Sequence, residues 1–465
     1  MNKKTGIAVA VVVLAGAWWA AAAYTSRHFE ETYRAQIAQL DKLPFVQVND
    51  LKFAHGLTSG TVSGRVALGC KGADGQVQGV SVGLEQTVLY GPFPGWRSFG
   101  AARTQTRVVL DDAAPAALRA FVGQLQPQDL ETDYGYGGTV ATRVHLPAGH
   151  YVGELPTGKL DAQWSEARFE GHGRFDGALD YSGKLASFAM SQQIGPLPAQ
   201  TVKYEGVALQ GESVAAPGHF WLRTGHQTST FAHGETSTGG VAETLDQISV
   251  DSAVALHDEL ADSDFGYHIG KMHLALPTGQ PVDVTKLDLQ VKLKNLHAPT
   301  VEKLVDQVLD GVSASCAIFT ADPASVDPQA RAAAVTQAFA PIGVTARELL
   351  LHRPELTLDK LGFEMNGKRG EFSASAKLAG LDAAQVQGAA LLPALMQAVS
   401  AQASGRVPVA WLGQFAGAQA EGFADQAVAG GMAKRDGDFL TSEFAFEKGV
   451  ARVNGHPLGQ PAVAQ

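Results

Sequence analysis

The stretch Leu287-Asp288-Leu289-Gln290-Val291-Lys292-Leu293-Lys294 alternates apolar and polar side chains without a break. A period of two puts Leu287, Leu289, Val291 and Leu293 on one face of an extended chain, and Asp288, Gln290, Lys292 and Lys294 on the other. One dry face and one wet face are the mark of an antiparallel strand. The pattern recurs at Val140, Thr142, Val144 and Leu146, and at Phe372, Ala374, Ala376 and Leu378. Phe265, Tyr267 and Ile269 follow it too; Met272, Leu274 and Leu276 are expected on a returning strand after a turn at Gly270-Lys271. Asn366-Gly367 and Asn454-Gly455 are hairpin dipeptides, because both residue types tolerate positive φ.

Helical patterns are fewer. They are expected over Asp111 to Val122, Thr300 to Leu309, Ala330 to Phe339, Ala383 to Ala403 and Trp411 to Met432, with Pro393 and Pro408 as breaks. A strand, then Leu-x-Ala, then a helix is read twice, at Leu296 to Ala298 and at Leu381 to Ala383, and hints at a duplicated unit. The expected fold class is α+β: predominantly antiparallel β, with an N-terminal transmembrane helix and Ala-rich helices packed on the C-terminal half. The expected divisions are 1–28, a cytoplasmic stub and membrane anchor; 29–280, β-rich; 281–458, mixed strand and helix; and 459–465, a disordered tail.

The anchor rests on residues Gly6 to Tyr24, an uncharged run that follows Lys3 and Lys4 and ends in Trp18, Trp19 and Tyr24. About 20 apolar residues are what a helix needs to cross a bilayer, and aromatic residues gather at its interface. The rival is a cleaved signal peptide, since Ala20 to Ala23 offers small residues. Phe29, Tyr33, Ile37 and Leu40 carry the helical period further, which favours an uncleaved anchor.

Composition bounds the rest. Of 465 residues, 45% are hydrophobic and 18% charged, which supplies a sizeable core. A net charge of −10 with no basic stripe argues against nucleic acid as a partner. Cys70 and Cys316 are the two cysteines, and from sequence they are equally a disulfide or two buried thiols.

Chemical motifs are present as near misses. Gly79-Val80-Ser81-Val82-Gly83 matches a nucleophile elbow but lies in strand-like sequence. Gly362 to Arg369 resembles a phosphate loop but ends in Arg369 where Ser or Thr is needed. His219, His226, His233 with Glu235, and His268 with His273, lack compact metal-ligand spacing. Asp262-Ser263-Asp264-Phe265-Gly266 lacks the remaining oxygen ligands of a calcium loop. No cofactor and no metal are expected, and catalytic and ligand-binding residues stay unassigned.

Three elements in order carry a resemblance. These are the anchor opening into Tyr24-Thr25-Ser26-Arg27, then Gly91-Pro92-Phe93-Pro94 after Tyr90, then Asn454-Gly455-His456-Pro457-Leu458 near the end. Together the chain resembles the YdgA-like (YdgA/YihF) family of bacterial envelope proteins, a domain family of unknown function. The resemblance implies an inner-membrane signal anchor, cytoplasmic N-terminus and periplasmic β-rich bulk, and supplies no catalytic residues. The function expected is a non-catalytic binding or scaffold module of the cell envelope with an apolar β-groove for lipid. The alternatives are a periplasmic hydrolase acting on an envelope component and a self-assembling structural protein. The partners expected are the bilayer through the N-terminal helix, a lipid or envelope protein, and a further copy of the chain.

Overall fold

The computed structural model describes residues 22–458 except 23, 27, 36, 39, 41, 72–76, 112, 113, 115, 156, 157, 175, 176, 194–197, 276, 278–280 and 321–326. Its 22 described strands are joined by hydrogen bonds into one antiparallel sheet. The chain forms two compact units: Met1–Ala186 with Asp306–Ala340, and Ser187–Val305 with Pro341–Gln465.

In the first unit, strands Val46–His55, Ser59–Lys71, Val77–Tyr90, Ala102–Leu110, Leu130–Tyr134, Thr139–Leu146 and Ala167–Arg174 pair in that order. Helical residues between 22 and 40 lay Ala22 and Phe29 on Val62, Val88, Tyr90 and Ala102, while Glu31 and Arg34 stay exposed. The Phe29 ring meets Tyr134 edge-on at 5.4 Å. Cys70 and Cys316 form a disulfide across 246 residues, with Cα atoms 5.4 Å apart, tying the end of a strand to helix Ala298–Thr320.

In the second unit, strands Gln200–Ala215, Arg223–Thr238, Val241–His257, Leu260–Ala275 and Val282–His297 form a meander of long neighbours. Glu355–Met365, Lys368–Leu378, Val399–Pro408 and Phe439–Glu447 extend it. The strands on either side of residue 280 are therefore direct partners. Asn366-Gly367 and Asn454-Gly455 turn their hairpins at positive φ: 54° and 72°, then 50° and 86°.

The α+β expectation is corrected by this architecture: the structure is mostly one large antiparallel sheet. The membrane-spanning helix is corrected with it: among the described residues no helix is long and apolar enough to cross a membrane. Gly6, Trp18 and Trp19 lie outside the described residues, as does the tail 459–465. Tyr24 is exposed on a helix that is amphipathic rather than apolar all round.

Two local readings also change. Ala383 to Ala403 is not one helix, because Leu391–Ala398 is helical and Val399–Pro408 is a strand. Val399, Ala401, Ala403 and Gly405 form its apolar side, but alanine and glycine carry too little hydrophobic contrast to show the alternation in sequence. No turn interrupts Leu260–Ala275 at Gly270-Lys271. The apolar pattern changes phase there, and the facing residues Gln247 and Lys286 take φ of 55° and 52° while the strand runs on. Gly270 leaves room for the Gln247 side chain, whose Oε1 lies 2.4 Å from where a Cβ would sit.

Candidate functional site

Strand register places the apolar side chains of the second unit in three adjoining rows. One row runs Phe265, Val291, Leu358, Ala374, Ala403, Phe444. A second runs Leu293, Leu356, Ala376, Ala401, Phe446. A third runs Tyr267, Leu289, Leu361, Phe372, Gly405. The stretch Leu358-Asp359-Lys360-Leu361 breaks strict alternation, and a bulge absorbs the extra residue so that both leucines keep to one face.

Both ends of this face are capped on strand Lys368–Leu378. At one end Trp411, buried, stacks on Phe363 with ring centroids 4.4 Å apart and donates from Nε1 to the Met365 carbonyl at 2.9 Å. Gly370 makes that approach possible, because a Cβ there would lie 2.1 Å from the indole. At the other end Leu378 packs with Leu381 and Val386, and Leu391 and Leu395 close over them. Between the caps the rows stay open to solvent: Phe265 is 41% exposed, Leu293 38% and Leu356 47%. The uncapped strip is three rows wide, roughly 13 Å along the strands, and crosses six strands, roughly 24 Å.

The opposite face is ionic. Asp288 sits 2.7 Å from His268, 2.9 Å from Arg369 and 3.1 Å from Lys360. Burial opposes its ionisation, but hydrogen bonds from these three partners outweigh it and bring the carboxyl down to about 2. Two shallow depressions, of about 560 and 380 Å³, are walled by polar and apolar residues together: Ser373, Gln402, Ala374 and Phe444 in one, Thr228, Asp251, Phe265 and Val291 in the other.

The residues singled out in the sequence are not gathered into a reactive centre. Ser81 stands mid-strand opposite Ala67, without the turn and helix of a nucleophile elbow. The histidines are dispersed, each against a carboxylate: His219 to Glu302 at 3.2 Å, His226 to Glu212 at 3.2 Å, His233 to Asp246 at 2.6 Å and His273 to Asp283 at 2.8 Å. Among the described residues no three His, Cys, Asp or Glu side chains are grouped to hold a metal ion. Asp262 accepts the Asn295 backbone N–H at 3.0 Å, and Arg369 belongs to a hairpin. Asn454 is an anchor of the last turn: its Oδ1 accepts the Glu443 N–H at 3.0 Å and its Nδ2 donates to the Gly431 carbonyl at 2.9 Å. Gly455 completes that turn, Pro457 pairs with Arg452, and Leu458 donates its N–H to the Ala451 carbonyl. Gly91, Pro92, Phe93 and Pro94 form a loop between strands, described below with its neighbours.

No curated protein and no solved structure matches the chain. A family model does match, over residues 1–460, and by it the chain belongs to DUF945, a family of bacterial proteins of unknown function.

Proposed function

We propose that this protein is a non-catalytic carrier of the bacterial envelope that holds a lipid acyl chain along the apolar face of its second unit. The observation that carries the reading is the open strip itself: three registered apolar rows, half-exposed and walled at both ends. Raised caps on either side disfavour a flat partner sheet, which needs an unobstructed face, and suit a linear apolar molecule lying across the strands.

An envelope location rests on the Cys70–Cys316 disulfide, since such bonds persist in oxidising compartments and are rare in the cytosol. The Gly91-Pro92-Phe93-Pro94 and Asn454-Gly455-x-Pro457-Leu458 elements support placing the chain with the YdgA-like proteins.

The test is native mass spectrometry of the full chain from mild detergent, before and after delipidating washes. Stoichiometric lipid that survives washing, and is lost in Val291→Asp and Leu293→Asp proteins of unchanged circular dichroism, supports the reading. A bare mass in the wild type, or adduct retained in both variants, contradicts it. A defined oligomer without adduct moves the face to self-assembly.

A further inference from the structure

The loop from Gly91 to Gly100, between strands Val77–Tyr90 and Ala102–Leu110, has a rigid base and an aromatic tip. At its base Gly91 donates to the Ala101 carbonyl at 3.2 Å and Gly100 to the Pro92 carbonyl at 3.0 Å. Beneath it Arg103, buried, donates to Ser98 Oγ at 3.0 Å and to Asp133 at 2.5 Å. Pro92 and Pro94 restrict the backbone, and Gly95 takes φ of 60°. Trp96 also takes φ of 60°, a conformation that a bulky residue adopts only when its surroundings impose it.

That frame turns large apolar rings outward. Trp96 is 82% exposed and Phe99 71%. Phe93 and Phe99 meet at 5.6 Å and Phe99 and Tyr136 at 5.5 Å, so the rings form one patch. A soluble surface scatters such residues singly; a contiguous patch marks a contact. Arg97, on the same loop, is 68% exposed by its side chain and reaches Glu131 at 4.0 Å, and Arg174 binds the Gly137 carbonyl next to Tyr136. The nearby carboxylates Glu131 and Asp133 are mostly buried against Arg103 and Arg143, with Glu131 also at 4.0 Å from Arg97. This end of the unit thus presents arginines, although the chain as a whole carries −10.

We infer that this tip seats the first unit on an anionic lipid surface, with Trp96, Phe99 and Phe93 entering the headgroup boundary and Arg97 meeting lipid phosphates. The amphipathic indole of Trp96 with a flanking arginine is what that boundary accepts, and the phenyl rings of Phe93 and Phe99 add apolar area. A second observation joins it. Tyr24, shortly after the uncharged sequence Thr5 to Ala21, lines the same cavity as Tyr136, about 260 Å³ in volume.

The test uses the full chain added to vesicles of three parts phosphatidylcholine to one part phosphatidylglycerol. Association alone is not the readout, because the N-terminal run is itself apolar. The readout is the emission lost on Trp96→Phe, obtained by subtracting the variant's spectrum from the wild type's. The inference expects this difference emission to shift blue on vesicles and to be quenched by bromolipid. It expects the shift to shrink when phosphatidylglycerol is omitted or in Arg97→Ala, and to vanish in Phe99→Ser. Difference emission that stays at the water-exposed wavelength and is quenched by iodide overturns it. So does an equal, concentration-dependent blue shift without vesicles, which assigns the patch to a second copy of the chain.

Discussion

The cap at Trp411 makes a quantitative prediction through Gly370. An ideal Cβ at position 370 would lie 2.1, 2.4 and 2.9 Å from Trp411 Cη2, Cζ3 and Cζ2. Side-chain carbons do not approach so closely, so in Gly370→Ala either the ring or the strand must move. The ring is held by its stack on Phe363 and its hydrogen bond to Met365, and the strand by its pairing on both sides. Forcing a methyl into such a site costs about 1–3 kcal/mol, and pulling the buried indole N–H off its acceptor adds about 1–3 more. We expect Gly370→Ala to lower stability by about 2–6 kcal/mol in urea unfolding followed by circular dichroism. Trp411→Ala removes the ring and costs about 3–5 kcal/mol by itself. In the double variant the methyl meets no indole, so the two costs should fall short of additivity by the Gly370→Ala cost itself, about 2–6 kcal/mol. Additive costs would refute the steric account of this cap.

Further outcomes follow from other contacts. Replacing Cys70 and Cys316 by serine should lower the stability of the first unit by about 2–4 kcal/mol, matched in the wild type by reductant, in thermal unfolding. Asp288 has its carboxyl lowered from 3.8 to about 2 in the fold, so its contribution is present above the unfolded value and is lost as pH falls through the folded one. Urea midpoints should therefore drop between pH 3.8 and about 2, by at most about 2 kcal/mol from this group, and Asp288→Asn should remove that part of the slope. His233 is raised by the hydrogen bonds its ring donates to Asp246 and Glu235, so its contribution is complete below 6.5 and fades as pH rises through the higher folded value. Asp246→Asn should bring the His233 titration, followed by NMR, back toward 6.5. Glu131→Gln should destabilise the first unit by about 1–3 kcal/mol, because buried Arg103 and half-exposed Arg143 are then left to share the single carboxylate of Asp133.

The sheet was legible where side chains contrast strongly. Leu287 to Lys294 alternates leucine or valine with charge or amide, and that alone sets its dry face. Val399 to Gly405 has the same geometry built from alanine and serine, so its composition reads as helix. The bulge at Asp359-Lys360 and the phase change at Gly270 also hid the rows, because a single-period pattern cannot express a shifted register. The apolar face was anticipated, but not its caps, since Trp411 reaches Gly370 only through the folded sheet. Gly91 to Pro94 stood out as a strand-end element; Trp96 and Phe99 did not, although aromatics crowded into a Pro/Gly loop were the available signal. The Cys70–Cys316 bond spans 246 residues and had no local trace.

The central claim, an acyl chain on the apolar strip, is tested most directly by photoaffinity labelling. The full-length protein would be equilibrated with a diazirine fatty acid, irradiated and mapped by peptide mass spectrometry. The account predicts labels on residues 289–293, 356–361 and 372–376, competed by unlabelled fatty acid and absent in Leu293→Asp. Labels confined to other segments, or spread evenly and insensitive to competitor, would contradict it.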